Sequence, residues 1–341
     1  MKKILMISRL FVAAIFLATF ASCEDDAATP IVQSKSIVQT AQADANLSIL
    51  VQALTRANLV ADVSGPGPIT VFAPTNAAFT AFLQTNGFAN IDAVPVDALR
   101  NILLNHVVVG AVRAADLPAS GYFKSLANFG TTQSKISNYV AKTTTGSTTT
   151  VQINGPAANG GATVTTADVV ASNGIVHVVN AVINLPTLVN HAVANPNLST
   201  LVAVLTSTGA PFGNQSAVLS VVAGATAAAP LTVFAPVNTA FAAAVAPGGF
   251  ANGATAAQVS TVLRYHVVPG ANVLAASLTN NQVVTTATTP APAQTFTVTT
   301  TGGAKITDKS SPAVQANITA TDIQASNGVV HVLDKVLQPT L

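Results

Sequence analysis

The chain has 341 residues, half of them apolar and only 8% charged, with a single cysteine. Apolar letters scattered among Thr, Asn, Gly and Pro indicate a folded, turn-rich body and exclude a disordered chain or a bundle of membrane spans. That length suits two domains of ordinary size, each able to bury a core without disulfides or structural metals.

Residues 1–22 read as a secretory signal. Lys2 and Lys3 precede an apolar run from Leu10 to Ala21, too short to cross a bilayer comfortably and closed by small residues. The "FASC" that ends at Cys23 resembles a bacterial lipoprotein processing site, at which Cys23 is lipidated and becomes the first residue. Several acyl chains on one residue suffice for a stable membrane anchor. A plain secreted protein cut nearby is the alternative. Removing this segment takes away Lys2, Lys3 and Arg9 and no acid, so 11 basic residues face 12 acidic ones. No basic stripe is left to neutralise phosphates, which argues against nucleic acid as a partner. Residues 23–32, with Glu24, Asp25 and Asp26, form an acidic, polar tether. The expected address is across the inner membrane, at the outer membrane or the cell surface.

The remainder is written twice. "NLSILVQAL" from Asn46 is answered by "NLSTLVAVL" from Asn197, and "TVFAPTNAAF" from Thr70 by "TVFAPVNTAF" from Thr232. "NHVVVG" from Asn105 is answered by "YHVVPG" from Tyr265, and "DVVASNGIVHVV" from Asp168 by "DIQASNGVVHVL" from Asp322. Length differences fall in Gly-, Thr- and Pro-rich stretches such as Gly209–Pro230, as surface loops permit. Two domains follow, residues 33–186 and 187–341, with a very short join that favours a fixed or narrowly hinged pair.

In chain order, each repeat opens on a helix and reaches a short strand, Thr70–Phe72, that stops at Pro74. Thr75 or Asn76 can then cap a helix whose Phe79, Phe82 and Leu83 share one face. A further helix spans about Asp97 to Leu104, with Ala256–Leu263 as its equivalent, and passes into a buried strand at Val107–Val109. The Thr-rich run from Thr143 reads as an exposed hairpin. Asn173-Gly174 between two apolar runs reads as a second hairpin with a type I′ turn. Helices come early and strands late, which makes each unit α+β.

The ordered motifs "TVFAPTNAAF", "LLNHVVVG" or "LRYHVVPG", and "ASNGIVHVVNAVINLP" resemble those of the fasciclin-domain family, across nearly all of residues 33–341 as two tandem domains. The resemblance implies a wedge-shaped β-sandwich with a cap of short helices in each domain. It also implies a secreted or cell-surface role in adhesion, with extracellular polysaccharide, matrix or a cell-surface protein as partner.

An active site belonging to the repeated unit must appear in both copies. The shared polar residues are Asn76/Asn238, His106/His266, Asp168/Asp322, Ser172/Ser326, Asn173/Asn327 and His177/His331. One shared carboxylate cannot make a paired acid–base site, and no nucleophile elbow occurs. Pro66 and Pro68 remove from "SGPGP" the N–H groups that a phosphate cradle needs. No cofactor is indicated, and a non-enzymatic protein is expected. His177 and His331 lie on apolar strand faces and read as core residues with backbone partners. The resemblance offers candidate partner-binding residues. Tyr265-His266 keeps a Tyr-His pair linked to adhesion in animal members of the family, whereas domain one has Asn105-His106. Asp322-Ile323 matches an Asp-led pair that contributes to integrin binding in some animal relatives, and Asp168-Val169 departs mildly. Two other readings compete with adhesion: a small-molecule or metal binder built on His106 and His177, and an envelope scaffold that forms a homodimer.

Overall fold

The computed structural model describes residues 34–209, 212–247, 252–288 and 292–341. The expected signal, the tether and Cys23 lie outside the described residues.

Polar caps set where some of the helices begin. Ser36 opens α1 (Ile37–Ala43) through a capping box with Gln39; α2 (Ser48–Arg56) and α3 (Val60–Ser64) follow. In β1 (Ile69–Pro74) side chains alternate, so Val71 and Ala73 pack on the helices while Phe72 enters a second core on the other face. Thr75 Oγ1 accepts from the Ala78 N–H at 3.2 Å and starts α4 (Asn76–Thr85), which buries Phe79, Phe82 and Leu83 as the spacing predicts. Asn76 does something else: it accepts from the Ile49 N–H and donates to Ala45 O, tying the start of α2 to α4. Helix α5 (Val96–Asn105) runs directly into β2 (Val107–Val109). Three longer strands and two of six residues complete the first repeat: β3 (Ser120–Asn128), β4 (Lys135–Thr145), β5 (Thr148–Ile153), β6 (Ala162–Ala171) and β7 (Gly174–Val179).

The second repeat copies this order. It has α6 (Leu188–Ala194), α7 (Ser199–Leu205), a small ribbon of β8 (Thr208–Gly209) and β9 (Gly213–Asn214), and α8 (Ser216–Ala223). Next come β10 (Leu231–Pro236), α9 (Asn238–Val245), α10 (Ala256–Tyr265) and β11 (Val267–Pro269). Then follow β12 (Gln282–Thr285), β13 (Thr295–Thr299), β14 (Lys305–Thr307), β15 (Gln315–Ala325) and β16 (Gly328–Leu333). The stretch Gly209–Pro230 is therefore more than loop. Val218 and Val222, four residues apart, give α8 a buried stripe that places it where α3 stands in the first repeat.

Each repeat forms one seven-stranded sheet, β2-β1-β7-β6-β5-β4-β3 and β11-β10-β16-β15-β14-β13-β12. The parallel pairs have matching registers, Phe72 opposite His177 and Phe234 opposite His331. Strand β6 slips register between Thr166 and Val169, and Asp168 sits in the slip at φ 60°; β15 does the same around Asp322 at φ 57°. Such bulges bend a strand, so each sheet turns over into two leaves. One core lies between the helices and the first leaf, around Leu50, Phe79 and Leu99. Another lies between the leaves, around Phe72, Val140, Ile153 and Val179.

The hairpin between β6 and β7 closes differently from the expected type I′ turn. Its loop residues are Ser172 and Asn173, because Ala171 already pairs with Gly174. Gly174 is required by close approach: a Cβ there would stand 1.8 Å from Ile69 O. Asn173 is occupied by side-chain bonds, accepting from the Ile37 N–H and donating to Val63 O and Gly65 O.

Candidate functional site

The helix-to-strand corner at α5–β2 carries His106, and its ring is fully committed to the backbone. Nδ1 donates to Ile102 O one turn back (2.8 Å), and Nε2 accepts from the Ile183 N–H (2.9 Å). His266 repeats this at α10–β11, with Val262 O at 2.7 Å and the Leu337 N–H at 2.9 Å. Both rings are buried, and desolvation pushes each down to about 4 despite the bond to the carbonyl. Each is a neutral clamp between the helix and the chain after the last strand, with no lone pair left for a metal.

The residue before each His differs, and so does its surroundings. Tyr265 is fully buried, donates its hydroxyl to Thr295 O at 2.7 Å, and meets Phe296 edge-on at 5.9 Å. Asn105 stands in its place in domain one and heads a buried polar network. Asn105 Oδ1 accepts from Ser125 Oγ and Asn138 Nδ2, Asn138 Oδ1 accepts from Asn154 Nδ2, and Asn154 Oδ1 accepts from the Tyr139 N–H. Ser125, Asn138 and Asn154 escaped notice in the sequence because a partner for each lies on a different strand.

His177 and Asp168 form a second unit. His177 Nε2 donates to Val112 O at 3.0 Å while Nδ1 accepts from the Asp168 N–H at 3.2 Å. The Asp168 carboxylate accepts from the Ala114 N–H at 2.8 Å, and Asp322 holds the Ala275 N–H at 2.7 Å. His331 donates to Val273 O at 2.8 Å. The repeated Asp–His pair thus pins the chain after β2 or β11 to the bulged strand. The α5–β2 histidine and the strand histidine serve separate backbone groups, and among the described residues no three of His, Cys, Asp and Glu gather as a metal site requires.

Asp322-Ile323 has a second neighbour, the first domain. The Asp322 carbonyl accepts from Lys124 Nζ, Ser137 Oγ accepts from the Gln324 N–H at 2.9 Å, and Ile323 is buried in the helix-side core. His191 of α6, to which the sequence assigns no role, is buried at this junction: its Nε2 donates to Gln324 O and its ring meets Tyr122 edge-on at 5.5 Å. Burial drives His191 to about 4, with Lys124 acting in the same direction. Asn159 and Asn190 exchange hydrogen bonds across the same junction, and the Ser326 N–H reaches Pro186 O at 2.7 Å. Of the candidate partner-binding residues, Tyr265, His266, Ile323 and His106 are buried, and Asp168 and Asp322 reach solvent in part.

Comparison with known proteins follows the same duplication. The family described as Fasciclin domain matches residues 45–186 and 196–339. Two proteins of Synechocystis sp. are similar over about one domain's length. Protein sll1483 is 37% identical over 152 residues, covering 44% of this chain and 74% of that protein. Uncharacterized protein sll1735 is 34% identical over 148 residues, covering 43% and 96% respectively. Among solved structures, a FAS1 domain pair from the insect cell adhesion molecule Fasciclin I superposes with a TM-score of 0.53. At 17% identity, over 86% of this chain and 96% of that one, this is a likeness of fold.

Proposed function

The chain belongs to the fasciclin-domain family, one domain in each half, and from that premise we propose that it is a non-enzymatic adhesion protein of the cell surface. It holds its cell to extracellular polysaccharide, matrix or a neighbouring cell, and a lipid on Cys23 attaches it to the membrane. The observation that carries this reading is the fate of the shared polar residues. In both domains Asn76/Asn238, His106/His266 and Asp168/Asp322 are consumed in holding backbone, which leaves no common set of groups to perform a reaction. Fasciclin domains commonly mediate adhesion and are typically extracellular or secreted, which fits. No described helix is long and apolar enough to cross a membrane, so the attachment assigned here rests on the Cys23 motif. Of the candidate contact residues, Asp168 and Asp322 present the surface edge, while Tyr265, His266, His106 and Ile323 support it from beneath.

Protease shaving of intact cells tests the address, and retention of the purified chain on polysaccharide, matrix and whole cells tests the activity. The expected result is loss of the protein on shaving and saturable retention that an unfolded control lacks. Full protection from protease, or no retention above that control on any surface, would overturn the proposal.

A further inference from the structure

The helix cap of domain two covers a cavity of about 120 Å³, bounded by α6, α7, α8 and α10 above and by β10 and β16 below. Its walls are apolar side chains such as Leu201, Val218, Phe241 and Leu263, and only Thr206 and His266 bring polar atoms to it. His266 has no hydrogen-bonding capacity to spare, and Thr206 sits at the exposed rim. The Thr206 hydroxyl donates to Val202 O at 2.8 Å, and both His266 nitrogens are bound to backbone. A water needs two to four polar partners to reside in a cavity, so this one is dry, and dry cavities of this size admit a benzene ring or a xenon atom.

The two repeats explain why the space exists. Gly65 and Gly224 each follow the last residue of α3 and α8, and matching them pairs Val218 with Leu59 of domain one. The matching His corners put Val262 where domain one has Ile102, and Val259 where it has Leu99. The shared "TVFAP" start puts Ala244 where domain one has Phe82. Val218 and Val262 line the cavity, Val259 and Ala244 belong to the same helix-to-sheet core, and Leu219 in place of Val60 returns only one methylene. Interiors are packed to crystal density, so a consistent loss across one layer leaves room for a guest. Val193 lines the cavity from α6 and is 46% exposed, so the lining extends to the protein surface.

We infer that domain two binds a small, uncharged, apolar molecule, one aromatic ring or a short alkyl group in size, between its helix cap and its sheet. Domain one, with the larger side chains, does not. This binding is independent of adhesion.

Titrating benzene into the full chain, with valine, leucine and isoleucine methyl groups followed by NMR, tests the inference. Saturable shifts are expected at Leu201, Val218, Val262 and Leu263 but not at Leu59 or Ile102, together with a higher melting temperature by mass action. The double variant V218L/V262I restores the side-chain sizes of domain one and should weaken benzene binding by at least about tenfold. Either single substitution, V218L or V262I, serves the same purpose if the double variant does not fold, since both residues line the cavity. Benzoate, with the same ring and a charge, should not bind. Absence of saturable shifts, shifts that persist unchanged in a folded filled variant, or equal binding of benzoate would each overturn the inference.

Discussion

His106 and His266 each hold one proton, and the backbone decides where it sits: on Nδ1, facing a helix carbonyl, with Nε2 left to accept. Protonating Nε2 would turn that acceptor into a donor aimed at another donor. The folded value near 4 lies below the unfolded 6.5, so the unfolded chain binds protons first as pH falls. Stability is therefore whole above pH 6.5, declines between 6.5 and 4, and on this account falls no further below that; each ring corresponds to about 3 kcal/mol. Urea unfolding at pH 7, 5.5 and 4.5 checks the slope, and His266→Asn should flatten it while costing about 2 kcal/mol at pH 7. At Asp168 the backbone lies in the left-handed region, where Asn is tolerated and most residues are not. Asp168→Asn should then be nearly neutral. Asp168→Ala loses both the Ala114 bond and the tolerance, at about 2 kcal/mol. If retention on a cell surface falls with Asp168→Asn while stability holds, the carboxylate touches a partner; if both hold, it is scaffolding.

At the scale of elements, much of the fold was legible, and the reasons are local. "TVFAP" shows its alternation, its stop at Pro74 and its cap at Thr75 within six letters, and Phe79, Phe82 and Leu83 show their face by spacing alone. The hairpins were legible as hairpins, yet the turn chemistry was not, because Gly174 answers to Ile69 on another strand and not to its own loop. The strand β4 was the least legible. Its residues from Ile136 to Val140 are all buried, the even ones in their own domain and Ser137 and Tyr139 toward the other. A strand covered on both faces loses the two-residue polarity rhythm by which half-buried strands are recognised. The Asn105 network belongs to the same blind spot, since its four members are contributed by α5, β3, β4 and the turn after β5. Its energetics follow from burial. Asn138→Leu leaves Asn154 Nδ2 without its acceptor and takes from Asn105 Oδ1 one of its two donors, and domain one should lose about 3 kcal/mol in a denaturant titration.

At the scale of the molecule, duplication was visible in the letters, but the way the halves meet was not. Residues Ser34–Leu341 form one compact unit, because β3, β4 and α6 bring Tyr122, Ser137 and His191 against the bulged end of β15. A repeated unit describes what its copies share, and a junction is made of what they do not: Tyr122, Lys124 and His191 have no counterpart role in the other half. Domains that share a buried junction unfold in a coupled way, since separating them exposes the apolar and hydrogen-bonded groups between them. Calorimetry of the full chain should therefore show a single transition or two closely merged ones. Tyr122→Ala removes the ring against His191 and the acceptor of Asn195, and Ser137→Lys forces a charge toward the Gln324 N–H. The pair of substitutions should split the endotherm, lowering the earlier transition by an amount equivalent to about 2 kcal/mol of lost coupling. Cavity filling in domain two by V218L/V262I, which replaces none of the hydrogen-bonding residues of that junction, should leave the coupling as it was. Two well-separated transitions in the unaltered chain would instead mean that the junction contributes little and the domains stand alone.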